Sequence, residues 1–146
     1  MTENRGAPDA GSEKGRIRVL LVDDEKEYLH VLANRLGKRG LDVVKASSGQ
    51  EGIQALRRQD FDVAVLDLKL EDMDGLEVLK VFKRMDPKLA VVMLTGHGSA
   101  EAARDGIALG ACGYLSKPCE LQELLGKIKE ADRKSTRLNS SHGKLS

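Results

Sequence analysis

Val19-Leu20-Leu21-Val22-Asp23-Asp24 is a short apolar run that stops abruptly on two carboxylates. Three further runs stop in the same way: Val63-Ala64-Val65-Leu66 on Asp67, Val91-Val92-Met93-Leu94 on Thr95, and Tyr114-Leu115-Ser116 on Lys117-Pro118. Buried parallel strands read as continuous apolar runs of this kind, and open α/β sheets bind ligands at the carboxyl ends of their strands. The pattern predicts one sheet edge that gathers three carboxylates, a hydroxyl and an ammonium. Such a set suits a divalent cation and a phosphoryl group.

The segments between these runs carry helical periods. Leu29, Leu32, Ala33 and Leu36 fall at i, i+3, i+4 and i+7, one face of a helix that closes near Gly40. A strand over about Asp42–Ala46 follows, and Ser48 with Glu51 three residues on forms a capping box for a helix carrying Ile53 and Leu56. Asp74 is placed to cap the next helix, through Leu76, Leu79, Val81 and Phe82, which Asp86-Pro87 ends. Ser99 opens an Ala-rich segment interrupted by Gly106 and ending near Gly110, and Leu121, Leu124, Leu125 and Ile128 stripe the last helix. Five strand–helix units with short connections imply an α/β fold: a doubly wound, five-stranded parallel sheet with helices on both faces, joined by right-handed crossovers. Strand order 2-1-3-4-5 sets the first and third strands side by side at the switch point, where Asp23, Asp24 and Asp67 meet.

Composition allows this and excludes other classes. Of 146 residues, 40% are hydrophobic and 32% charged, enough for one core and no second full domain. A net charge of +1 supplies no overall field for nucleic acid or an anionic membrane, and no apolar stretch is long enough to span a bilayer. Residues 1–15 lack the apolar segment of a secretory signal, so a cytoplasmic location is expected. Cys112 and Cys119, without a second Cys or His cluster at metal-ligand spacing, read as reduced thiols. A polar leader at 1–15 and a polar tail at 135–146 are expected to be disordered on either side of a domain at 16–134. Residues 134–142 look like translated vector or adapter sequence, in which case the natural protein continues past Arg133.

Asp23-Asp24, Asp67, Thr95, Tyr114 and Lys117-Pro118, in this order and at these spacings, resemble the receiver (CheY-like) domain of bacterial two-component response regulators, over about residues 17–131. The resemblance implies that Asp67 accepts a phosphoryl group from the phosphohistidine of a sensor histidine kinase or phosphotransfer protein. It implies that Asp24, Asp67 and the Lys69 backbone carbonyl ligate Mg²⁺, that Asp23 holds the ion through water, and that Thr95 and Lys117 contact the phosphoryl oxygens. It further implies a cis Lys117–Pro118 peptide and a switch in which Tyr114 turns inward when Thr95 moves toward the phosphate. Lys69 and His97 would flank the path of the hydrolytic water. The output implied is altered binding of a protein partner, or of a second copy, through the face formed by the fourth and fifth strand–helix units, with no direct nucleic-acid contact and no membrane. Such a domain assists its own phosphotransfer and autodephosphorylation and is not an enzyme for a separate substrate.

Elementary chemistry supports these roles independently. Mg²⁺ is a hard ion that takes one or two carboxylates plus waters and phosphate oxygens. Together with the Lys117 ammonium and the Thr95 hydroxyl it can neutralise charge on the equatorial oxygens during in-line transfer, and an oriented carboxylate is a competent nucleophile. Gly96 leaves space for the incoming group. Taken singly, each residue has a plainer reading: Asp24 as a turn or cap, Thr95 as a strand terminus, Lys117 as an exposed charge, Tyr114 as packing and His97 as a loop histidine. Asp74 is read as a cap, and Lys127, Lys129, Arg133 and Lys134 as a solvated helix face. Their joint fall on the strand ends separates the two readings.

Glu71 stands where many relatives place a proline, which predicts a more mobile and more acidic loop. Rival classes fit less well. A phosphatase or phosphotransferase using an aspartyl nucleophile would show Asp-x-Asp, where this chain has Asp67-Leu68-Lys69. A flavin or nucleotide binder would need a phosphate-cradling loop after the first strand, where Asp23-Asp24-Glu25-Lys26 would repel phosphate. A non-phosphorylated pseudo-receiver scaffold would not require the complete acidic set. A receiver fragment of a larger, for example transcriptional, regulator would share the same core.

Overall fold

The computed structural model describes residues 15–96 and 100–145, with side chains as far as Ser135. Strands β1 (Arg18–Val22), β2 (Asp42–Ala46), β3 (Val63–Asp67), β4 (Ala90–Thr95) and β5 (Gly113–Ser116) alternate with helices α1 (Lys26–Lys38), α2 (Gly49–Arg58), α3 (Gly75–Met85), α4 (Ala100–Ala108) and α5 (Leu121–Leu145). All five strands pair parallel in the expected order, β2-β1-β3-β4-β5. The leader before Gly15, together with His97 and Ser99, lies outside the described residues.

Period-two alternation splits the central strands between two apolar layers. Val19, Leu21, Val63, Val65, Val92 and Leu94 pack with Leu29, Leu32 and Leu36 of α1 and Leu124 and Ile128 of α5. Leu20, Val22, Ala64, Leu66, Val91 and Met93 pack with Ile53 and Leu56 of α2 and with Val78, Leu79 and Phe82 of α3. β3 and β4 are buried along their whole length, whereas the edge strands β2 and β5 expose part of theirs. Each fully buried Val or Leu is worth about 1.5–3 kcal/mol. Both layers therefore hold the strand ends, and with them the site, in register.

Helix starts follow the sequence signals with one shift. Ser48 caps α2 by accepting the Glu51 N–H on Oγ at 3.0 Å. The return half of the box is displaced by one residue: Glu51 Oε1 accepts from the Ser47 N–H at 2.7 Å and from the Ser47 hydroxyl at 3.0 Å. Asp74 caps α3 through the Leu76 N–H at 3.0 Å, and α3 ends at Met85, with Asp86 as its C-cap before Pro87. α1 differs, since Glu25 at its N-cap makes no side-chain capping bond.

α5 runs from Leu121 as far as Leu145. No Gly or Pro stands between Gly126 and Gly143 to stop the helix, and the Ser135 hydroxyl donates to the Lys88 carbonyl at 2.8 Å. Among the described residues no helix is long and apolar enough to cross a membrane.

Candidate functional site

Parallel register assembles the site. Val22 lies opposite Leu66, Asp67 opposite Leu94, and Thr95 opposite Ser116, so Asp23, Asp67, Thr95 and Lys117 leave the sheet along one edge. Asp23, Asp24 and Asp67 each offer a carboxylate oxygen, and these lie within 4.8 Å of one another. Asp23 is fully buried, Asp67 is 4% exposed, and Asp24 is half-buried. Carboxylates this close repel one another, and burial removes the water that would soften the repulsion.

Lys117 supplies the compensation. Its Nζ stands 3.0 Å from Asp23 Oδ2, 3.1 Å from Glu25 Oε1 and 3.4 Å from Asp67 Oδ2, one carboxylate for each of its three N–H groups. It also lies 4.7 Å from the centroid of the Tyr28 ring. Backbone groups take the remaining oxygens of the buried pair: the Glu25 N–H donates to Asp23 Oδ1 at 2.9 Å and the Lys69 N–H to Asp67 Oδ1 at 3.0 Å. The Lys117–Pro118 peptide is cis, and the Lys117 N–H donates to the Thr95 carbonyl at 2.6 Å.

The electrostatics follow from this geometry. Burial is the largest influence on Asp67 and raises its carboxyl to about 6; the Asp23 charge adds to the rise, while the Lys69 N–H and the Lys117 ammonium oppose it. Burial also works against the charge of Lys117, but Asp23, Asp67 and Glu25 together outweigh it and hold the ammonium above the usual lysine range. Tyr28 is pushed up to about 12, first by burial and then by the neighbouring Cys119 thiol, so it faces Lys117 as a neutral ring.

Asp24 makes a different contact. Its Oδ2 accepts the Glu71 N–H at 2.8 Å, in the loop that follows Asp67. From the same loop, Asp72 accepts the Gly49 and Gln50 N–H groups at 2.9 and 3.0 Å, at the N-terminus of α2. The loop closes with a Lys69–Asp74 bridge and a bond from the Gly75 N–H to the Leu68 carbonyl at 3.2 Å. Only glycine fits at 75, because a Cβ there would overlap the Leu68 backbone. The loop that carries Glu71 is thus tied to the β1–α1 connection, to α2 and to itself.

Thr95 is 3% exposed, and its hydroxyl donates to the Leu115 carbonyl at 3.5 Å, the outer limit of a hydrogen bond. Tyr114, on edge strand β5, is 45% exposed and lines a shallow groove with Ile107, Leu115 and Pro118. Lys69 is exposed, an added Cβ on Gly96 would meet no atom within 4 Å, and both cysteines are free thiols. Sequence reasoning missed Glu25 and Tyr28 as partners of Lys117. The signal available was their i, i+3 spacing directly after Asp23-Asp24, which places both on one face of the first turn of α1.

The donor set fits a hard divalent cation. Three clustered carboxylates supply oxygen ligands, neither His nor Cys stands among them, and one ammonium leaves the cluster net negative.

The profile of the response regulator receiver domain matches residues 19–129. Transcriptional regulatory protein GlrR of Escherichia coli (strain K12) is 35% identical over 113 residues, which are 77% of this chain and 26% of GlrR. Photosynthetic apparatus regulatory protein RegA of Cereibacter sphaeroides is 39% identical over 119 residues, covering 81% of this chain and 65% of RegA. The chain therefore spans about a quarter of GlrR and about two thirds of RegA. A crystal structure of a response regulator receiver domain protein from Clostridium thermocellum superposes with a TM-score of 0.80 at 32% identity, over 84% of this chain and 98% of that one. The matched span begins at the first apolar run and ends inside α5, so it takes in every strand end that converges on Asp67, and the chain belongs to the response regulator receiver domain family.

Proposed function

We propose that this receiver works by phosphorylation of Asp67, taking the phosphoryl group from the phosphohistidine of a sensor histidine kinase or phosphotransfer protein. One observation carries the reading: the buried Asp67 carboxylate shares the Lys117 ammonium with Asp23 at the aligned strand ends, a nucleophile beside a fixed cation. An Asp67 oxygen forms the new O–P bond as the P–N bond of the phosphohistidine breaks and its electron pair returns to the imidazole. Asp24, Asp67 and the Lys69 carbonyl would hold Mg²⁺ directly and Asp23 through water, and the ion would supply charge neutralisation at the phosphoryl oxygens. Lys117 and the Thr95 hydroxyl contact those oxygens. Lys69, with His97, sets the access of the hydrolytic water and so the lifetime of the acyl phosphate.

Phosphorylation adds about two negative charges and three acceptor oxygens. Thr95 is drawn from its long bond with Leu115 toward them, Tyr114 turns inward, and the α4-β5-α5 face shifts within an existing two-state equilibrium. α4 suits a moving part, since its Ala-rich turns are interrupted by Gly106, which lies against the Met93 side chain. A protein partner or a second copy reads that face, the domain itself touching neither nucleic acid nor membrane, in the cytoplasm. A receiver part of a longer transcriptional regulator is the second reading, favoured by the match to about a quarter of GlrR.

The test is intact mass after incubation with acetyl phosphate and Mg²⁺, for the wild-type chain and Asp67→Asn. One phosphoryl group gained by the wild type alone supports the reading. If neither chain gains it and no fluoroberyllate complex forms, a non-phosphorylated scaffold replaces it.

A further inference from the structure

We infer that Glu25 and Tyr28, on the first turn of α1, form a resting seat for the Lys117 ammonium, and that Glu25 restrains this lysine from full engagement of Asp67 until a phosphoryl group arrives. The inference rests on the phosphoacceptor reading and makes both residues positioning residues.

The three carboxylates around Lys117 are not equivalent. Asp23 and Glu25 are the near partners, at 3.0 and 3.1 Å, and Asp67 is the far one at 3.4 Å. The Asp23 side chain is 1% exposed and that of Glu25 is 65% exposed, so the first contact is shielded from water and the second is easily broken. Glu25 occupies the N-cap of α1, yet its side chain does not cap the helix; its carboxylate bonds Lys117 instead. Three residues further along, the Tyr28 ring flanks the same ammonium. Lys117 thus has one durable partner, one weak partner, and one whose hold must strengthen when Asp67 acquires three phosphoryl oxygens. The N–H now directed at Glu25 is the one the phosphoryl group can recruit.

Breaking an exposed pair of this kind shifts an equilibrium by about two- to five-fold. In the full chain with acetyl phosphate and Mg²⁺, Glu25→Gln should raise the phosphorylation rate constant of Asp67 by about that factor. Glu25→Asp separates holding from simple charge repulsion: it keeps the negative charge, but its shorter side chain is suited to capping α1 and falls back from Nζ. It should accelerate as Glu25→Gln does. Tyr28→Phe keeps the ring and should match the wild type, whereas Tyr28→Leu should follow Glu25→Gln. NMR signals of the Lys117 side chain, read without phosphoryl donor, should shift in Glu25→Gln, Glu25→Asp and Tyr28→Leu and stay in place in Tyr28→Phe. Acceleration by Glu25→Gln with wild-type behaviour of Glu25→Asp would reduce Glu25 to a bulk charge and overturn the seat, as would unmoved Lys117 signals. A wild type that takes no phosphoryl group at all would sink the phosphoacceptor reading, while the Lys117 signals would still decide the seat.

Discussion

Lys117 Nζ stands 3.0 Å from the carboxylate of Asp23, whose side chain is buried. A buried pair adds little net stability, because desolvation offsets attraction, but removing one partner strands the other. Lys117→Met would leave Asp23 and Asp67 without their shared cation. Urea unfolding of the metal-free protein should show a loss of about 3 kcal/mol. Millimolar Mg²⁺ should restore part of it by binding the folded state. An unchanged unfolding midpoint would mean that Lys117 is not what keeps the two carboxylates tolerable.

Asp67 should destabilise the metal-free fold at neutral pH. Its folded value of about 6 lies above the ordinary 3.8, so between those values the folded chain binds the proton more tightly than the unfolded one. Stability from this group is therefore complete below the ordinary value and is lost as pH rises through about 6. Asp67→Asn cannot ionise and should stabilise the EDTA-treated chain by about 1–3 kcal/mol near pH 7.5, with little effect near pH 4. Urea midpoints at the two pH values check this, and an equal effect at both would exclude ionisation as the cause.

How far the sequence foretells the site depends on where each contact originates. Val63–Asp67 is legible because a strand buried on both faces shows as an apolar run, and its end marks the sheet edge. Glu25 is not legible in this way, because its partner Lys117 lies 92 residues away. Asp72 is hidden likewise: its carboxylate bonds the start of a helix 23 and 22 residues before it in the chain.

Gly75→Ala should cost about 2–4 kcal/mol. The added methyl would overlap the backbone of Leu68, which cannot retreat without moving the Asp67–Lys69 turn. Gly37→Ala is the matched control: a Cβ at this position in α1 meets nothing within 4 Å, and the substitution should stabilise by about 0.5–1 kcal/mol. Thermal unfolding of both variants reads the difference, and similar midpoints would show that the loop yields where the geometry says it cannot.

Tyr114 offers an optical test of the proposed switch. The chain has no Trp and only two Tyr, so a Tyr28→Phe background leaves Tyr114 as the sole emitter. In the resting structure its ring is 45% exposed, and the Thr95 hydroxyl is engaged, at long range, with the Leu115 carbonyl next to it on β5. Fluoroberyllate with Mg²⁺ should draw that hydroxyl to the Asp67 site and let the ring turn inward, so collisional quenching by iodide should fall. Thr95→Val keeps the shape but has no hydroxyl to be drawn, and in that background fluoroberyllate should leave the quenching of Tyr114 at its resting level. Quenching that stays constant in the parent background at saturating fluoroberyllate would separate Tyr114 from phosphorylation, and the face that changes would then have to be sought in α4 alone.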